Sequence, residues 1–313
     1  MADLRQVQLE NAKPLIQSAN PLPGSIDVRN RLHHRFDGEM IEPAKTFICT
    51  TCGTQYPPNV EPPQDCPICQ DERQFVNWEG QQWTTLAELR RSHQNLIKVQ
   101  GPGITGIGST PKFAIGQRAL LVQTAGGNLL WDCISLIDDP TTAAVMGLGG
   151  ISAIAISHPH YYSSMVEWSK RFGNVSIYLH ADDRRWVARP SPNIVFWQGE
   201  QQKLFGNLTL IRCGGHFEGG TVLHWADGEQ GTGALLTGDI VQVVQDRRFV
   251  SFMWSYPNYI PLSAAAVKRI TRAVEPFPFE RVYGAWWDAI VQSDGKAAVK
   301  KSAARYLKAI GKS

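Results

Sequence analysis

Two Cys-x-x-Cys pairs, Cys49/Cys52 and Cys66/Cys69, lie close together early in the chain. Zn²⁺ takes four soft or borderline ligands in a tetrahedron, and one such knuckle sets two thiolates on one side of it. Gly53 follows the first pair and Pro67 lies inside the second. Both residues favour the tight turns that aim backbone amides at the sulfurs. The four cysteines are expected to close on one metal ion rather than to pair as disulfides. Cys133 and Cys213 stand alone between apolar neighbours and read as buried free thiols.

A second group of donors begins where the apolar run "ISAIAIS" ends, in "HPHYYSS". His158 and His160 are two residues apart, so at the period of a strand both imidazoles leave the sheet end on one side and can share a metal. Downstream, His216 sits in the glycine-rich turn "GGHFEGG", Asp239 ends the apolar strand "GALLTGD", and Asp132 ends "GNLLWD". His180 and His224 lie within strands and read as packed residues, while His33 and His34 read as surface residues. Trp254, Trp286 and Trp287, with Tyr256 and Tyr259, suit an aromatic pocket or a core equally well.

The elements that must position these groups follow from the hydrophobic pattern. "TTLAELRRSHQNL" (84–96) has helical periodicity with Thr84 or Thr85 as its cap. From residue 97 short apolar runs alternate with Gly and Pro punctuation and read as strands. "DPTTAAVMGLGG" reads as a helix capped by Asp139 with Pro140 at its first position. Strands are expected at 194–197, 203–212, 220–225 and 233–237, then a helix over "PLSAAAVKRITRAVEPF", the strand "RVYGAWW" and a closing amphipathic basic helix. Strands and helices in alternating mixed groups argue for two sheets with helices on their outer faces. At 313 residues the chain suits a large domain with a small one. The boundaries read as 1–43 for a partly irregular N-terminal extension, 44–80 for a cysteine module and 81–313 for the main domain.

The cysteine context "FICTTCGTQYPP…CPICQDERQFV" resembles a zinc ribbon and, more closely, the rubredoxin-like modules, which carry either zinc or a redox iron. A module of ~30 residues has almost no core, so its metal must supply folding energy. The order and settings of the later residues, from about residue 97 to the C-terminus, resemble the metallo-β-lactamase fold superfamily. That resemblance implies an α/β fold, an αββα sandwich preceded by the small zinc-ribbon or rubredoxin-like module. In the family pattern His158 and His160 match the first two histidines of a His-x-His-x-Asp-His motif. His216 matches the glycine-flanked third histidine, Asp239 the carboxylate that bridges two metals, and Asp132 an early acid that steadies the histidine loop. Tyr162 and Ser163 stand where the family has Asp-His, and Trp286 and Trp287 where it has a late His. The side chains proper to a second metal are thus missing, and the resemblance implies a centre for one zinc or iron.

Such a centre implies a metal-dependent hydrolase of ester-, thioester- or lactone-like small molecules. Asp239 is expected to complete the coordination or to take the proton of a metal-bound water, and Tyr162 to steady the substrate's carbonyl oxygen. Two other readings stay open: an iron-containing redox protein, and a non-catalytic ligand- or partner-binding descendant of the fold. The net charge of +3 is too slight to argue for nucleic acid or membrane as a partner. No apolar run reaches the ~18 residues of a transmembrane helix, and the N-terminus lacks an apolar signal core, so a cytoplasmic protein is expected. Oligomeric state is not legible in the sequence.

Overall fold

The computed structural model describes residues 43–311. The N-terminal extension, with His33 and His34, lies outside the described residues except for its last position. Two sheets stack face to face. The first has seven strands, in the spatial order Ile194–Trp197, Ser176–His180, Ala153–Ala155, Gly127–Trp131, Ala119–Thr124, Ile104–Thr110 and Gln94–Gly101. The second has six, in the order Gln201–Lys203, Leu208–Arg212, Thr221–Trp225, Ala234–Gly238, Arg281–Gly284 and Ile290–Val291.

Most of these strands read as continuous apolar runs because both of their faces are covered. Leu120, Val122, Leu129 and Trp131 of the first sheet meet Leu208, Leu210, Leu223 and Leu236 of the second in the core between the sheets. The alternate residues Ala119, Leu121 and Leu130 pack outward against Val145, Met165 and Trp168 of the helices Asp139–Gly147 and Met165–Arg171. On the opposite face Val222, Leu235 and Val282 pack against Val267, Ile270, Val299 and Ala303 of the helices Ala264–Val274 and Gly295–Ala309. Period-two alternation thus builds three cores from two sheets. The result is an αββα sandwich.

Helix starts follow local hydrogen bonding. Thr85 caps Leu86–Ser92 in a full capping box with Glu88. The cap of Asp139–Gly147 is Asp138, not the expected Asp139, because Asp138 has the extended backbone that lets its carboxylate accept from Thr141 N at 2.8 Å.

The cysteine module is built on a three-stranded sheet of Gln55–Asn59, Lys45–Cys49 and Trp83–Thr85, whose last strand lies beyond the expected boundary at residue 80 because it pairs with Phe47–Cys49. Its buried cluster is little more than Cys49, Cys52, Tyr56, Cys66 and Ile68. The module docks on the sandwich through polar bonds. Ser135 Oγ donates to Gly53 O at 2.7 Å, Gln55 N to Ser163 O at 3.1 Å, and Arg73 Nη1 to His216 O at 3.0 Å. Leu210 is fully buried between the two sheets, so Leu210→Ala should cost about 2–5 kcal/mol in urea denaturation. A loss under about 1 kcal/mol would mean that the inter-sheet core closes over the gap.

Candidate metal centre

The strand ends deliver the donors. His158 follows Ala153–Ala155, Asp239 follows Ala234–Gly238, and His216 lies in the turn between Leu208–Arg212 and Thr221–Trp225. Carboxyl ends of strands are where open α/β sheets place ligands. His160 lies in a single 3-10 turn, Pro159–Tyr161, that opens directly after His158. Asp132 adopts a left-handed backbone with φ of 60°, which turns its carboxylate back to accept Ser157 N at 2.8 Å. This bond pins the residue before His158.

His158, His160, His216 and Asp239 are buried, and one donor atom from each lies within 4.8 Å of all the others. The three imidazole rings are 5.0 Å apart pairwise. His216 Nε2 and His160 Nδ1 are 3.3 Å apart, the spacing of two ligands about 2.0–2.1 Å from one tetrahedral ion. His158 Nε2 approaches Asp239 Oδ1 to 2.9 Å, yet neither atom completes a hydrogen bond, and His160 Nε2 has no partner. The outward nitrogens are engaged instead: His158 Nδ1 by Ser157 Oγ at 2.9 Å and His216 Nδ1 by Met253 O at 3.2 Å. Buried polar atoms without partners cost stability, and a cation satisfies His158 Nε2 and Asp239 Oδ1 together. The donors fit a metal ion.

Burial pushes His216 down to about 4 and His160 well below the usual imidazole range, so both are neutral and offer lone pairs. Burial opposes ionisation of Asp239 as well, but His158 and His216 hold its carboxyl below the ordinary carboxylate range.

The centre forms one wall of a cavity of ≈ 200 Å³. Its apolar lining includes Phe75, Ile115, Pro257 and Trp286, and its polar lining includes Arg73, Gln74 and Lys112. The expected roles of three aromatic residues need correction. Tyr162 is buried but not on the cavity, because its hydroxyl is turned to donate to Asp183 O at 3.4 Å. Trp254 lies beside the cavity rather than on it, since its Nε1 donates to Glu72 at 2.8 Å and its ring covers the Arg73 guanidinium. Trp287 packs over Gly106 and Gly108 of the first sheet, where neither glycine leaves room for a Cβ. Trp286 does line the cavity.

Arg73, Gln74, Phe75 and Lys112 had no signal in the sequence. The first three come from the cysteine module, and only the fold carries them to the histidines. Arg73 is buried, doubly bonded to Asp71 at 2.6 and 2.8 Å, and stacked 3.9 Å from the centroid of Phe217. Ser163 is tied to the same module, and Gly53 fits beside its hydroxyl and that of Ser135 because it lacks a Cβ.

In the second cluster the sulfurs of Cys49 and Cys69 are 3.5 Å apart and those of Cys52 and Cys66 3.6 Å, far beyond a disulfide bond. Those separations match the edges of a tetrahedron with metal–sulfur bonds of about 2.3 Å. Tyr56 donates to Cys66 Sγ at 3.1 Å and Gln81 to Cys49 Sγ at 3.2 Å. Cys133 and Cys213 are fully buried free thiols.

No family model matches the chain. It is 49% identical over 266 residues to "Uncharacterized protein YmaE" of Bacillus subtilis (strain 168), across 84% of this chain and 96% of that one. The chain belongs to the YmaE family. Its fold is that of the metallo-β-lactamases. DIM-1 metallo-beta-lactamase superposes with a TM-score of 0.52 at 15% identity, covering 69% of this chain and 98% of its own. TMB-1 gives 0.52 at 13% identity over 69% and 98%. The metallo-beta-lactamase FIM-1 from Pseudomonas aeruginosa in the mono-zinc form gives 0.50 at 16% over 69% and 96%. Among the described residues no helix is long and apolar enough to cross a membrane.

The depressed pKa of His216 contributes to the acid response of protein stripped of metal, with His160 acting in the same sense and Asp132 and Asp183, pushed up to about 7 and about 6 by burial, in the opposite one. An unfolded imidazole near 6.5 binds protons that the folded one, near 4, refuses. The contribution is fully present above pH 6.5 and is lost as pH falls towards 4, to a limit of about 3 kcal/mol. Across that window the urea midpoint of chelator-treated His216→Phe should fall less steeply with decreasing pH than that of the chelator-treated wild type. In the cysteine cluster, Cys66→Ser should remove one equivalent of bound metal and lower the melting temperature, as read by elemental analysis and calorimetry.

Proposed function

We propose that this protein is a mononuclear metal-dependent hydrolase of ester-, thioester- or lactone-like small molecules, with the cysteine module as a rubredoxin-like structural clip. The observation that carries the reading is the set of four buried donors within 4.8 Å of one another, three of which, His160, His216 and Asp239, line a cavity of ≈ 200 Å³. Support for one ion rather than two comes from the residues at the second position. Tyr162 is engaged by Asp183 and Ser163 by the cysteine module, and Trp286 offers only an indole. The mono-zinc form of FIM-1 is a precedent in the same fold.

Three imidazoles and a carboxylate suit Zn²⁺ or Fe²⁺. His158, His160 and His216 would hold the ion, which would supply Lewis acidity and lower the pKa of a water towards ~7. The chain's own groups do the rest. His160 and His216, kept neutral by burial, keep their lone pairs available near neutral pH. Ser157 and Met253 O hold the rings of His158 and His216 from behind. Asp239, held ionised, completes the ligand set or accepts a proton from water in the cavity. Its backbone is steadied by Tyr256, whose hydroxyl donates to Asp239 O at 2.9 Å. Phe75, Ile115 and Trp286 exclude bulk water and strengthen each electrostatic contact inside.

Protein purified without added metal should contain two zinc ions per chain and hydrolyse activated esters or lactones. His160→Ala should keep one zinc, in the cysteine module, and lose the turnover. A wild-type protein with one metal per chain would remove the hydrolytic reading, and iron with visible absorption at both sites would replace it with a redox one.

A further inference from the structure

We infer that the metal of the cysteine module sets the metal affinity of the histidine centre, and that Arg73 is the positioning residue through which it acts. The inference concerns the two ion sites and goes beyond the reaction proposed for one of them. The histidine in need of support is His216. It lies in a turn with Gly214 and Gly215 before it, both with left-handed backbones at φ of 66° and 84°, and Gly219 and Gly220 after it. Such a segment has little conformational preference of its own, so the place of the imidazole is decided from outside. Asp183 holds the far end of the turn, where its Oδ1 accepts Gly219 N at 2.9 Å. His216 itself is held by two polar contacts. Arg73 Nη1 donates to His216 O at 3.0 Å, and Met253 O engages His216 Nδ1 at 3.2 Å.

Both contacts lead back to residues 71–73. The strand Met253–Ser255 and the loop after it are tied to that segment by three donors. Trp254 Nε1 donates to Glu72 at 2.8 Å, Ser255 Oγ to Arg73 O at 3.3 Å, and Asn258 Nδ2 to Glu72 O at 2.7 Å. The segment in turn hangs from the cysteines. Cys66 and Cys69 flank and occupy the single helical turn Pro67–Gln70, which Gln70 N closes on Cys66 O at 3.0 Å, and Asp71 is its C-cap. Arg73 bonds back to Asp71 from N at 3.0 Å, Nε at 2.6 Å and Nη2 at 2.8 Å. Its side chain is 2% exposed, with the guanidinium 3.9 Å from the ring centroid of Phe217 and 4.4 Å from that of Trp254. Two nitrogens of a rigid planar fork thus fix the direction in which the third reaches His216. One turn of helix has no stability of its own, and the module's buried cluster is small, so an ion on the cysteines is what orders this arm. With the arm in place, His216 is presented ready for its metal. Without it, binding at the histidines must also order the turn, and the affinity falls by that cost.

The test is a titration of the metal-free full chain with Co²⁺ against a competing chelator. Thiolate-bound cobalt has an intense sulfur-to-metal charge-transfer band that an ion on histidine and carboxylate lacks, so the two sites are read separately. Arg73→Met should keep one equivalent in the thiolate band and weaken the histidine site by roughly ten- to a hundredfold, and Arg73→Lys should recover part of that loss. Cys66→Ser, which breaks the clip, should weaken the histidine site by a similar factor. In the double variant the loss should be no larger than in either single one, because both changes cut the same link. A residue that merely stabilised the fold would give losses that add. Arg73→Met retains all four cysteines and decides alone where Cys66→Ser does not fold. Equal histidine-site affinity in wild type and Arg73→Met, or additive losses in the double variant, would overturn the inference and leave the hydrolytic reading standing. A wild type that binds no ion at its histidines would overturn both.

Discussion

Three imidazoles and one carboxylate are forced into a buried space where their donor atoms lie within 4.8 Å of one another. Unpaired polar atoms are costly inside a protein, so this arrangement persists only where the surrounding structure over-determines it. The sandwich provides that constraint. Each donor is anchored near the end of a strand whose two faces are locked in separate cores, so no donor can relax towards solvent without unpacking a sheet. The bond from Ser157 N to Asp132 and the strained backbone of Asp132 itself belong to the same constraint.

The cysteine module is bound into this scheme. A buried cluster of three cysteines, one tyrosine and one isoleucine offers too little apolar surface to hold a fold, and the thiolate geometry points to a metal as the main source of its order. Its free energy is used beyond the module. The turn at Gly53 rests on Ser135 and Ser163, and the segment at 72–75 reaches over to His216 and closes one side of the cavity. The module therefore packs against Ser163 and brings Gln74 and Phe75 to the lining of the cavity beside His160 and His216.

The residues of the centre differ in how readable they were. His158 and His160 were legible as a pair, although the 3-10 turn Pro159–Tyr161, and not strand alternation, brings their rings together. His216 and Asp239 needed the wider pattern of glycine-flanked turns and strand ends. Tyr162 was misassigned because the 3-10 turn Pro159–Tyr161 rotates its neighbours away from strand periodicity, so its hydroxyl faces Asp183. For the tryptophans, sequence position says nothing about which indole faces a cavity; Trp286 and Trp287 are adjacent and go opposite ways.

The amino-acid sequence by itself determined the four-cysteine cluster, the His158/His160 pair and the alternation that makes two doubly covered sheets, while His216 and Asp239 joined that pair only through the superfamily resemblance. The first three are properties of local spacing and of period, and both act along the chain. Only the tertiary structure decided that the cysteine module would wall the histidine centre, that Arg73 would be spent on Asp71, and that Gln74 and Lys112 would share a cavity with His160 and Asp239. Those contacts join segments far apart in sequence. Their free energies come from docking two separately ordered surfaces, and no local pattern encodes which surfaces will meet.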